Sequence, residues 1–270
     1  MAIDLASLWN FADPQASARA FAAAIATAEG DDRLGLATQL ARTHGLRGDF
    51  AETIRLLDEL EPLAEKAGPV ARAHLALERG RSLVSPAHPA DSIDVTARAA
   101  ARSSYLKARD LALEGCDDAL AIDAIHMLAF VETDPPAQLR WSRQALELAL
   151  ASTQPSARRW EASLRNNIGC ALHESSRFEE ALAEFTRALE LRVAARDEER
   201  TRVARWMIAW TLRSLGRLEE ALEIQLDLEM AYREAGAMDR FVLDELIEIC
   251  RELGDADREA EYRRRRDEAG

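Results

Sequence analysis

The sequence predicts an all-α protein built from successive antiparallel helix pairs, and three observations support this. Ala, Leu, Glu and Arg, which are strong helix formers, dominate the 270 residues, whereas Gly (12) and Pro (8) are scarce. With 48% hydrophobic and 31% charged residues, the chain can bury a core and does not have the composition of a disordered protein. A short segment also recurs 40 residues later, as SRFEEAL at 176–182 and GRLEEAL at 216–222.

The patterns along the chain give the order of the elements. A leading helix is predicted over 13–28, with Asp13 as its N-cap and Pro14 in its first turn. Helix pairs follow at about 32–66, 69–115, 117–152, 156–196, 198–236 and 239–268. The prolines of SPAHPAD (85–91) cannot continue a helix, so this segment predicts an enlarged loop inside the second pair. We expect the whole chain, 1–270, to form a single domain.

Two units carry the repeat in most detail. The first has apolar and small residues at fixed spacing, namely Ile168, Gly169, Leu172, Phe178, Ala181, Phe185 and Ala188. The second has Ile208, Ala209, Leu212, Gly216, Leu218, Ala221 and Leu228, with Gln225 where the first has an aromatic residue. This pattern resembles the tetratricopeptide repeat family, in an extended form of about 40 residues. The resemblance implies a right-handed superhelical solenoid of antiparallel helix pairs whose first helices line a concave groove.

The resemblance also implies which side chains face that groove. The matching first-helix positions and their neighbours are Asn166, Asn167, Cys170, His173, Arg205, Trp206, Trp210, Arg213, Phe241 and Asp244. Tryptophan and arginine carry much of the binding energy at interfaces, so Trp206 and Trp210 are the predicted anchors. The alternative is that the tryptophans pack between neighbouring helices. Arg213 and Arg165 could take a ligand carboxylate, or pair with the many glutamates of the chain.

Two arrangements of histidine could support catalysis. Asp123 and His126 lie three positions apart, either as an acid/base pair or, as we favour, as a hydrogen-bonded histidine at a helix contact. Cys170 and His173 could form a nucleophile pair or, with Glu174, half of a metal site, but no second ligand pair has matching spacing. The motifs of phosphate loops, dinucleotide sites, serine hydrolases and zinc proteases are absent from the sequence. We therefore expect no catalytic residue, no metal and no cofactor.

Charge and cysteine usage bear on the partners. A net charge of −13 argues against nucleic acid and against an anionic membrane surface as partners. The three cysteines offer no disulfide framework and no metal-binding spacing, which favours a reducing compartment. The N-terminal residues do not resemble a signal peptide and no apolar run is long enough to span a membrane, so we expect a cytoplasmic protein.

The function predicted from these observations is non-enzymatic. We expect an interaction module whose concave groove binds a peptide or helix of another protein. One alternative is a sensor of a small molecule or signalling peptide that acts through a partner protein. Another is an enzyme that uses the His126 region or the Cys170/His173 pair. Self-association is left open, because an uncapped first or last helix could support it.

Overall fold

The computed structural model describes residues 5–268, and helices are the regular structure throughout this range, with no β-strand in it. Contacts between Cα atoms divide the chain into two compact units, Met1–Trp160 and Glu161–Gly270. Each unit is described by itself. The single domain expected from the sequence stays a prediction, and its first four and last two residues lie outside the described range.

The N-terminal unit contains helices α1 to α8. Their bounds are α1 Pro14–Ile25, α2 Gly30–Gly45, α3 Phe50–Ala64, α4 Pro69–Leu83, α5 Val95–Glu114, α6 Asp118–Val131, α7 Pro135–Ala151 and α8 Pro155–Arg158. Short 3-10 turns lie at Leu5–Leu8 and Ala90–Ser92. The enlarged loop predicted at 85–91 lies between α4 and α5, where His88 stacks on Phe50 with ring centroids 3.6 Å apart.

The C-terminal unit contains helices α9 to α14. Their bounds are α9 Glu161–Glu174, α10 Phe178–Ala194, α11 Glu198–Ser214, α12 Leu218–Glu234, α13 Arg240–Leu253 and α14 Ala256–Glu268. The first helices of its three pairs are α9, α11 and α13. The pair expected from residue 156 begins at Glu161, because the four-residue α8 precedes it as a separate turn of helix.

Aspartates define most of the helix starts. An aspartate side chain accepts a backbone N–H in the first turn of α1, α3, α5, α6, α7, α11, α13 and α14. Each such cap contributes about 1 kcal/mol by satisfying an amide that the helix leaves without a partner. Part of the excess of acidic residues in the sequence therefore serves to cap helices.

Glycine allows close packing within two of the helix pairs. Gly169 of α9 lies directly under the fully buried ring of Phe185 in α10, and Gly80 of α4 lies in the same way under Tyr105 in α5. Tyr105 also donates its hydroxyl to the carbonyl of Val84 at 2.5 Å. The two units thus share one packing solution, a glycine in the first helix facing an aromatic ring in the second.

Candidate functional site

All ten residues predicted for the groove lie on the first helices of the C-terminal unit. Helix α9 carries Asn166, Asn167, Cys170 and His173; helix α11 carries Arg205, Trp206, Trp210 and Arg213; and helix α13 carries Phe241 and Asp244. Positions four apart on a helix lie on one face, so Trp206 and Trp210 point to the same side of α11.

Four of these side chains form a continuous strip of rings across the three helices. His173 stacks on Trp210 with centroids 3.3 Å apart, and Trp210 stacks on Trp206 at 5.8 Å. Trp206 then meets Phe241 edge-on at 6.5 Å. We call His173, Trp210, Trp206 and Phe241 the aromatic strip.

Exposure increases towards the α13 end of the aromatic strip. His173 is buried, both tryptophans are partly exposed, and 70% of Phe241 is exposed. The Trp206 indole also donates its N–H to the carbonyl of Phe241 at 3.1 Å, which holds this ring against the first turn of α13. The tryptophans therefore pack between helices and keep part of their surface open to solvent.

The histidine end of the aromatic strip is held by hydrogen bonds. Nε2 of His173 lies 3.0 Å from Oγ of Ser214, and the Ser214 hydroxyl donates to the carbonyl of Trp210. Burial, together with the positive charge of Arg213, lowers the pKa of His173 to about 4. The imidazole is therefore neutral at pH 7 and serves as a flat ring against the indole.

The Cys170/His173 pair, the alternative nucleophile site, has the wrong protonation state for attack. Burial and the nearby charge of Glu174 raise the pKa of Cys170 to about 11, so its sulfur is a thiol at neutral pH. Asn166 donates weakly to that sulfur, with Nδ2 and Sγ 3.9 Å apart. These groups pack α9 rather than forming an activated thiolate.

The charged side chains around the aromatic strip already have partners within the unit. Arg213 donates to Glu245 at 2.5 Å and to Glu252 at 2.9 Å, and only 5% of Glu245 is exposed. Other ion pairs join Arg165 to Glu161 and Glu184, Arg205 to Asp227, and Asp244 to Arg240 and Arg266. Arg165 and Arg213, the two candidate carboxylate receptors, thus form ion pairs within the unit.

In the N-terminal unit, Asp123 and His126 of the candidate acid/base pair each contact a residue from another part of the chain. Asp123 pairs with Arg81 at 2.5 Å, and although burial alone would raise the pKa of Asp123, this arginine holds it below its usual value. His126 lies against Trp160 with ring centroids 5.6 Å apart, and burial lowers its pKa. No local pattern around Asp123 indicates Arg81, because Arg81 lies 42 residues away on another helix.

Between residues 5 and 268, no helix combines the length and apolar character needed to cross a bilayer. Over the same range, no three His, Cys, Asp or Glu side chains cluster as metal ligands would.

Comparison with known proteins identifies the repeats. Residues 160–234 match the model of the tetratricopeptide repeat family. No curated protein matches the chain in sequence. Among solved structures, the apo form of RapI superimposes with a TM-score of 0.74 at 12% identity, over 96% of this chain and 72% of RapI.

Two more solved structures share the fold. A STAND signal-transduction ATPase with a tetratricopeptide repeat sensor, from Pyrococcus horikoshii, gives a TM-score of 0.71 at 12% identity, over 94% of this chain. This chain spans only 38% of that ATPase. A Rap protein complexed with Competence and Sporulation Factor gives 0.59 at 15% identity, over 98% of this chain and 76% of the Rap protein. The predicted fold class, an all-α TPR-like solenoid, is confirmed, and residues 160–234 are the tetratricopeptide repeat region of this chain.

Proposed function

We propose that the protein is a non-enzymatic interaction module whose aromatic strip binds a peptide segment of a partner protein. The observation that carries this proposal is the continuity of the aromatic strip across α9, α11 and α13, with its last ring, Phe241, 70% exposed. Large exposed aromatic side chains cost a folded protein solubility, and they supply most of the binding energy where a partner covers them. Tetratricopeptide repeats at 160–234 support an interaction role.

One solved structure of a similar fold contains a bound factor. The Rap protein described above was solved as a complex with Competence and Sporulation Factor. At 15% identity this likeness concerns the fold alone. It supports the proposal that helix pairs of this kind can present a surface to a bound factor.

The chemistry of the surface suggests the chemistry of the segment. Rings in the aromatic strip favour aliphatic or aromatic side chains, which bury apolar area against them. Asn166 and Asn167 are partly exposed on α9 and can hydrogen-bond to the backbone of an extended segment. Because Arg213 is committed to Glu245 and the chain carries a net charge of −13, we expect a neutral or basic segment rather than an acidic one.

A selection with a matched control tests the proposal. A random peptide library displayed on phage is selected on the wild-type chain, and enriched peptides are synthesised with a fluorescent label for anisotropy titrations. Phe241→Ala removes the exposed ring of the strip, whereas Met230→Ala removes another exposed apolar side chain, on α12, where 47% of Met230 is exposed. Neither side chain belongs to the buried core, so neither change opens a core cavity.

The expected result is a loss specific to the aromatic strip. A hot-spot ring contributes about 2 kcal/mol, so Phe241→Ala should weaken binding ~30-fold. Met230→Ala should leave the Kd within about twofold of wild type. Peptides that bind Phe241→Ala and wild type equally well, or a selection that enriches none, would overturn the proposal.

A further inference from the structure

Two adjoining cavities lie inside the N-terminal unit, away from the aromatic strip. Their volumes are about 760 Å³ and about 390 Å³, within the range typical of small-molecule sites. The two share five lining residues, Arg42 from α2, Glu78 and Arg81 from α4, Asp123 from α6, and Trp160. Three first helices therefore direct charged side chains into one space.

Arg81 donates hydrogen bonds to both acids of this cluster. It pairs with Glu78 at 2.7 Å and with Asp123 at 2.5 Å. Only 1% of Glu78 is exposed, so this ion pair is removed from solvent. The single charge of Arg81 offsets only one of the two carboxylates, so the cluster needs a second cation for charge balance.

Arg42 supplies that second positive charge, but it is held less closely than Arg81. Among the described residues it pairs with Glu78 at 3.8 Å, and its buried Nε has no hydrogen-bond partner there. The guanidinium lies over Trp9 and Phe11, 5.1 and 5.5 Å from their ring centroids. Burial and the neighbouring Arg81 lower the pKa of Arg42 more than Glu78 and Asp123 raise it, so the site holds this cation at a cost.

A second buried nitrogen of the larger cavity also lacks a hydrogen-bond partner among the described residues. Nδ1 of His74 is buried without a hydrogen-bond partner in the described chain, and burial lowers the pKa of this histidine. Two of the acids that line this cavity, in contrast, accept backbone N–H groups. Asp31 accepts the N–H of Gly68 at 3.1 Å, and Asp117 accepts the N–H of Leu120 at 2.9 Å. The unused capacity inside the cavity therefore consists of nitrogen groups, foremost the donors of Arg42.

We propose that this cavity binds a small organic carboxylate with an apolar body. The carboxylate would accept two N–H groups from the planar fork of Arg42, a geometry that lysine cannot reproduce. The apolar body would pack on Trp9, Phe11 and Trp160, which line the same space. A free organic acid and the C-terminal residue of a peptide share this chemistry.

Calorimetric titration separates the charge from the apolar body. The probes are 4-phenylbutyrate and its neutral amide, titrated into wild type, Arg42→Gln and Arg33→Gln. Arg33 lies on the exposed side of the same helix and serves as the matched control. A parallel titration uses N-acetyl-Leu-Phe as free acid and as C-terminal amide. Tighter binding of this dipeptide acid than of 4-phenylbutyrate would indicate a peptide C-terminus, and the reverse order would indicate a free organic acid.

Binding that depends on both carboxylate and Arg42 is the expected result. Losing a charge-assisted hydrogen-bonded pair should weaken binding by at least ~10-fold, both for each amide and for Arg42→Gln. Arg33→Gln should match wild type. The proposal is overturned if neither carboxylate binds wild type saturably, if acid and amide bind alike, or if Arg42→Gln binds as well as wild type.

A stability measurement asks separately whether Arg42 is merely structural. Because Arg42 carries the second positive charge beside two carboxylates, Arg42→Met should lower the melting temperature of the unliganded protein, whereas Arg42→Lys keeps the charge and should hold it. Because lysine lacks the planar fork, Arg42→Lys should still lose carboxylate binding by at least ~10-fold, and wild-type binding by this folded variant would contradict the proposal.

Discussion

Replacing Gly169 with alanine should destabilise the protein, and the structure gives the size of the effect. The new methyl carbon would lie 2.5, 2.7 and 2.8 Å from three ring carbons of Phe185. Ordinary carbon–carbon contacts are about 3.5–4.0 Å, and Phe185 is fully buried, so its ring cannot swing into solvent. Overpacking of this kind costs about 1–3 kcal/mol, against about 1 kcal/mol that alanine gains over glycine within a helix. Three contacts below 3.0 Å put the cost at the upper end of this range, so we expect a net loss of about 2 kcal/mol.

Urea unfolding followed by circular dichroism measures this loss, with two comparisons. In Gly35→Ala the nearest atom to the new methyl is 3.8 Å away, so the helix-propensity gain should appear alone and stability should rise. In the double variant Gly169→Ala/Phe185→Leu the clash is relieved, so the double variant should be more stable than the sum of the single changes predicts. Stability of Gly169→Ala equal to wild type, or strict additivity with Phe185→Leu, would refute the reasoning.

Two further predictions concern buried polar groups of the same unit. Gln225 is fully buried, and neither its amide oxygen nor its amide nitrogen has a hydrogen-bond partner among the described residues. Gln225→Met should therefore raise the free energy of unfolding, measured with urea, by about 1–3 kcal/mol. A lower free energy of unfolding would show that the amide is hydrogen-bonded. His173 has a folded pKa of about 4, below its unfolded value of about 6.5, so the unfolded chain binds the proton first and stability falls as pH drops through this window. His173→Gln should remove that part of the pH dependence, and an unchanged slope between pH 6.5 and 4 would contradict the assignment.

The next repeat has a methyl group at the position of Gly169 and no aromatic ring at the position of Phe185. Forty residues on, Ala209 and Gln225 occupy the places of Gly169 and Phe185, and both are fully buried. Where the methyl is present the ring is absent. The sequence comparison already contains this pairing, but only the close approach of the two helices explains it.

Local periodicity made the fold and the aromatic strip predictable. Trp206 and Trp210 are four apart on a helix with polar neighbours, so their common face follows from sequence alone. The partners of Arg213 do not follow, because Glu245 lies 32 residues away with no local pattern to connect them. Long-range ion pairs depend on how helices of different pairs align, which spacing does not encode.

The cavity of the N-terminal unit was missed for the same reason, although one sign of it was present. Ala71, Leu75, Glu78 and Ser82 follow one another at helical spacing and are all buried, so a carboxylate interrupts an apolar face. A buried charge in such a position calls for a partner from another helix. Single-sequence reasoning could have flagged Glu78, but it could not have named Arg81 and Arg42 as its neighbours.

The aromatic strip also has an optical consequence. Two indoles whose ring planes lie within 22° of each other at 5.8 Å couple their electronic transitions, and the imidazole of His173 stacks directly on one of them. Their near-ultraviolet circular dichroism is therefore a joint property of the two α11 indoles rather than of separate chromophores. The surface that we propose for partner binding thus carries its own spectroscopic reporter, and any segment that separates or tilts the two rings changes that signal without a label.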